Sequence, residues 1–119
     1  MVSASIWAYV DKRHTDQQAQ DLVVVVDQTV RGALMAEPGL PDQLIWASKT
    51  FDFGGPDVLT VMPRVDGARA FFFGAERNGR LRLVYQGTTT AHDRCVATVL
   101  LGTEVASTDV VGCGSVYSF

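Results

Sequence analysis

Val2, Ala4, Ile6, Ala8 and Val10 alternate with Ser3, Ser5, Trp7 and Tyr9, a period of two that predicts an opening β-strand. Asp11–His14 interrupts the alternation. Thr15 followed by Gln18 has the spacing of a capping box, which places a helix start near Asp16. Ala19, Leu22, Val23, Val26, Val30, Ala33 and Leu34 then recur at helical spacing and form one apolar stripe. The valine run 23–26 weakens this helix, because a β-branched side chain loses χ1 freedom there. The stripe continues through Leu34 nonetheless, and Glu37-Pro38-Gly39 ends it.

Beyond the Pro-Gly-Leu-Pro loop, Leu44–Phe53 is rich in aromatic and β-branched residues and reads as a strand, closed by Gly54-Gly55-Pro56-Asp57. Val58–Val65, Ala68–Arg77 and Arg80–Gln86 follow as further strands, separated by Asp66-Gly67 and Asn78-Gly79. Both dipeptides favour two-residue hairpin turns, whose central residues need positive φ. If both loops are that short, Val61 faces Phe72, Phe73 faces Val84 and Phe72 faces Tyr85. One side of the meander then carries Val61, Phe72, Leu81, Leu83 and Tyr85 as a core face. The other carries Thr60, Met62, Phe71, Phe73 and Val84, with Arg77, Arg80 and Arg82 toward the hairpin tip. A wetted sheet face is normally polar along its length, so Phe71 and Phe73 call for a cover.

Thr90 and Asp93 form a capping pair ahead of His92, Cys95, Val96, Val99 and Leu100, which share a helical face, and Gly102 stops the segment. Cys95–Leu101 is therefore read as a helix, with a buried strand as the alternative. Asp109–Phe119 alternates and reads as a closing strand. The predicted order is β-α-β-β-β-β-α-β. It describes a single α+β domain, residues 1–119, with a mostly antiparallel sheet and helices packed on one face. The alternative is one helix crossing a curled sheet.

The chain has 119 residues, 47% of them hydrophobic, which fits one globular domain. No apolar run approaches the roughly 18–20 residues of a membrane span. Met1–Val10 lacks the basic and long apolar regions of a signal peptide. With two cysteines only, the expectation is a reducing, cytoplasmic setting without a disulfide framework. A net charge of −3 and a pI of about 5.1 argue against nucleic-acid binding. The charge is uneven. Residues 1–63 hold four basic and eight acidic side chains, whereas 64–94 hold six arginines against Asp66, Glu76 and Asp93. Arginine outnumbers lysine eight to two, which fits a GC-rich genome as readily as a need for guanidinium groups.

Chemistry is sparse. His92 and Cys95 at i, i+3 on a helical first turn, with Asp93 between them, would lower the thiol pKa and form a candidate catalytic cluster. The usual reading of such a cysteine beside Val96 and Val99 is a small buried hydrophobe. No metal-ligand spacing, Walker lysine or dinucleotide fingerprint is present, so neither metal nor cofactor is expected. Gly112-Cys113-Gly114 reads as a bulge or a close backbone approach.

Two functions follow. The favoured one is a non-catalytic binding domain that contacts a protein through Phe71, Phe73, Arg77, Arg80 and Arg82. Its partner is a second copy of the chain, or a toxin or enzyme that it masks. The competing one is a small enzyme or small-molecule binder. Its apolar pocket is lined by Trp7, Tyr9, Trp46 and Tyr85, with His92 and Cys95 as acid/base and nucleophile.

Overall fold

The computed structural model describes residues 2–88 and 94–114, with 2–16 as backbone only. It is an α+β arrangement in which the helical elements come first and four antiparallel strands follow, in sheet order β1-β2-β3-β4. Helix α1 spans Val2–Ala36, α2 spans Leu40–Thr50 and leads into a 3-10 turn at Phe51–Phe53, and α3 is the single turn Val58–Val61. The strands are β1 (Ala68–Ala75), β2 (Arg80–Gly87), β3 (Arg94–Leu101) and β4 (Glu104–Gly112).

Several sequence expectations are corrected. Val2–Val10 is the first part of α1, not a strand. Val2, Ile6 and Val10 are also spaced by four, alanine favours helix, and neither proline nor glycine interrupts residues 2–31. Leu44–Phe53 is helical as well, because Leu40, Leu44 and Ala47 supply a buried stripe behind a proline at the helix start. Val58–Val65 holds α3 rather than a strand. The Asp57 side chain caps it by accepting from the Leu59 N–H at 3.0 Å, and Pro63 forces Met62 out of the helical region. Cys95–Leu101 is strand β3, not a helix: it lies inside the sheet, apolar on both faces. The last strand lies earlier than Asp109–Phe119, at Glu104–Gly112, and residues 115–119 fall outside the described residues.

The apolar stripe of α1 matches expectation, with Ala19, Leu22, Val26, Val30 and Leu34 buried. It packs with Leu40, Leu44, Met62 and Val65 against Leu81, Leu83, Tyr85, Val96 and Leu100 of the sheet. Each fully buried Leu or Val in such a core contributes about 1.5–3 kcal/mol. A second, smaller cluster lies on the opposite face of the sheet: Val84, Cys95, Ala97 and Cys113, with Phe71, Phe72 and Val111 against it. No helix among the described residues is long and apolar enough to cross a membrane.

Candidate functional site

Asn78-Gly79 does sit at a turn, with Gly79 at φ +85°, but the loop is longer by one residue than a two-residue hairpin. The Glu76 N–H donates to the Arg80 carbonyl at 2.8 Å and the Gly79 N–H to the Glu76 carbonyl at 3.2 Å, which closes a loop of Arg77, Asn78 and Gly79. The register moves accordingly: Phe73 pairs with Leu83 and Phe72 with Val84. The Asp66-Gly67 turn joins no two strands; it delivers the chain from α3 into β1. A bulge between Ala70 and Phe72 then inserts Phe71 as the extra residue.

These two irregularities redistribute the predicted contact residues. Phe73 packs against the helix-side core, while Phe71 and Phe72 join the cluster on the outer face. Arg80 and Arg82 alternate with the buried Leu81 and Leu83, so they share the outer face with Val84. Across the ladder Arg80 stands opposite Leu101 and Arg82 opposite Val99, with Gly74 on the other side of Arg82. Arg77 and Arg80 are exposed and Leu101 is 52% exposed. Arg82 is half-buried, with Nη2 3.7 Å from Glu76 Oε1. The outer face thus has a guanidinium-rich end with aliphatic neighbours.

At its other end Cys95 and Cys113 form a disulfide that ties the start of β3 to the residue after β4. Both sulfurs are buried. Arg69 donates through Nε and Nη2 to Gln86 Oε1, and Gln86 Nε2 lies 3.9 Å from Cys113 Sγ. The bridge corrects the expectation of unpaired cysteines, and it leaves Cys95 no thiol to act as a nucleophile. His92 and Asp93 lie outside the described residues.

Of the four pocket residues, Tyr85 and Trp46 have described side chains, and these two do not share a groove. Tyr85 is buried and donates its hydroxyl to the Pro63 carbonyl at 2.7 Å. Burial pushes its pKa well above the ordinary 10.0. Beside it runs an open groove of about 510 Å³, lined by Leu59, Met62, Arg64, Ala68 and Arg69 among others. Trp46 is 58% exposed on α2 and takes no part in that groove. Trp7 and Tyr9 belong to the part of α1 described as backbone only. Among the described residues no group of three or more His, Cys, Asp or Glu is placed to hold a metal ion.

A second exposed surface was not foreseen. Phe51 and Phe53 are 56% and 90% exposed, and Trp46, on the same α2 segment, is exposed too. Its turn is tightly built: Gly54 takes φ +86° and its N–H donates to the Phe51 carbonyl, while the Gly55 N–H donates to the Thr50 carbonyl at 2.9 Å. A Cβ on Gly55 would lie 2.3 Å from Thr50 Oγ1 and 2.8 Å from its carbonyl oxygen, so the chain passes too closely for any side chain. The sequence signal was the Gly-Gly pair directly after two phenylalanines, which a strand reading absorbed. No family model, no curated protein and no solved structure matches this chain.

Proposed function

We propose that this chain is a non-catalytic protein-binding module whose contact surface is the arginine end of the sheet's outer face. The observation that carries the reading is the pairing of Arg80 with Leu101 and Arg82 with Val99 on the face away from the helix-side core. Arginine combines charge with planar stacking and a weakly hydrated head, which makes it the cation best suited to interfaces. Beside aliphatic neighbours it fits a partner surface that is acidic at its rim and apolar at its centre. The net charge of −3 weighs against nucleic acid as that partner. The disulfide favours an oxidising compartment over the cytoplasmic setting expected from the cysteine count, because bridges between strands persist where thiols are not kept reduced.

Native mass spectrometry of protein purified gently from its own host tests the reading. A stoichiometric protein partner is expected on the wild-type chain and lost from an Arg77→Glu/Arg80→Glu variant that keeps its thermal midpoint. Association that survives the charge reversal, or no association in the wild type, overturns it.

A further inference from the structure

We infer that the partner is a second copy of the same chain, seated with its α2 segment on the arginine end of the first copy's sheet, an assignment that rests on that end being a contact surface. Charge points to this occupant. The arginine end carries Arg77, Arg80 and Arg82 against Glu76, whereas residues 37–57 carry Glu37, Asp42, Asp52 and Asp57 against Lys49. Among the described residues neither Arg77 nor Arg80 has an ion-pair partner within its own chain.

The apolar chemistry is complementary as well. Trp46, Phe51 and Phe53 are exposed on the same segment as Asp42 and Asp52, which are exposed as well. Guanidinium groups stack on aromatic faces and pair with carboxylates in the same contact. The Thr50–Gly55 turn is held by its own backbone hydrogen bonds and by the close passage at Gly55, so displaying Phe51 and Phe53 adds little backbone ordering cost on binding.

The two surfaces lie on opposite layers of one molecule. α2 turns Leu40, Leu44 and Ala47 inward to the core and Trp46 outward, and Arg80 and Arg82 point away from that core on the far side of the sheet. A contact that uses the sheet face on one neighbour and the α2 segment on the next is head-to-tail, and builds a ring or an open chain rather than a closed pair.

Sedimentation velocity on the full chain tests this with two complementary variants, Arg77→Glu/Arg80→Glu and Phe51→Ala/Phe53→Ala. All four positions are exposed, and circular dichroism is the check that each variant folds. Wild-type protein at low salt is expected to grow beyond a dimer with concentration and to associate more weakly as salt rises. Each variant alone is expected to lose growth by tenfold or more in apparent affinity. Their equimolar mixture is expected to form a one-to-one dimer and stop, because one good contact remains and both ends are dead. A wild type that stays monomeric, a variant that grows as the wild type does, or a mixture that stays monomeric overturns the inference. If the wild type is monomeric alone yet loses a different host protein on Arg77→Glu/Arg80→Glu, the contact surface stands and only the self-partner fails.

Discussion

Asp27 sits on the seam between α1 and β4. It accepts from Thr108 Oγ1 at 2.8 Å and from Arg31 Nε at 2.8 Å, and Thr108 in turn lies 3.3 Å from the fully buried Thr98 hydroxyl. The Arg31 hydrogen bond, reinforced by Thr108, holds the Asp27 carboxyl below its ordinary pKa of 3.8 against the opposing effect of burial. A depressed carboxylate pKa stabilises the fold above the unfolded value and ceases to do so as pH falls through the folded one. Acid titration of Thr108→Val, followed by circular dichroism, should show about 1 kcal/mol less stability at neutral pH. The difference from wild type should narrow below pH 3.8. Tyr85 has the opposite sign. Its raised pKa contributes stability below 10.0 that is lost as pH climbs beyond it, so Tyr85→Phe should flatten the alkaline limb of the stability curve. The same variant gives up the bond to Pro63, which costs about 1 kcal/mol at neutral pH. The two long-range contacts were not legible beforehand: Asp27 and Thr108 are 81 positions apart, and Tyr85 and Pro63 are 22.

Periodicity was a good guide to elements where one face is wet and a poor one where it is not. The α1 stripe could be read because polar residues interrupt the apolar ones on a clear period, and the β1–β2 hairpin because Asn78-Gly79 marks its turn. Strand β3 is buried on both faces, so Cys95–Leu101 shows no alternation to separate strand from helix. Val2–Val10 failed for another reason, since Ser and Ala are small enough to satisfy either period. The hairpin register missed by one residue because Asn-Gly also serves a three-residue loop with the glycine in the left-handed region, and the Phe71 bulge then split the phenylalanines between faces. Gly79→Ala should cost about 1–2 kcal/mol at that φ, measured by urea unfolding. The disulfide was missed because two cysteines 18 residues apart carry no pairing information until the β3–β4 hairpin folds them together. Thiol titration of the denatured, unreduced chain should find no free thiol. Replacing both cysteines with serine should lower stability by about 3 kcal/mol.

At the scale of the molecule, helical elements on one side and an arginine-bearing sheet face on the other make two unlike surfaces. The sequence had shown the basic block at residues 64–94 and the acidic excess before it, but not that folding turns Arg80 and Arg82 onto the sheet face away from α2. That placement turns an uneven charge distribution into a polarity. Salt dependence is its simplest signature, because exposed charges a Debye length apart are screened at physiological ionic strength while a packed aromatic contact is not. An association that weakens on added salt without vanishing would separate the two contributions.

The Cys95–Cys113 bridge has a mechanical meaning in any assembly that bears load. Tension entering through α1 and leaving beyond Gly114 must pass the covalent ring that encloses β3 and β4. However far the rest of the chain yields, the segment inside the ring stays slack, withholding about 60 Å of contour length. Pulled from its ends, the oxidised chain should extend short of the reduced one by that amount, and single-molecule force spectroscopy with and without reductant would read the difference directly.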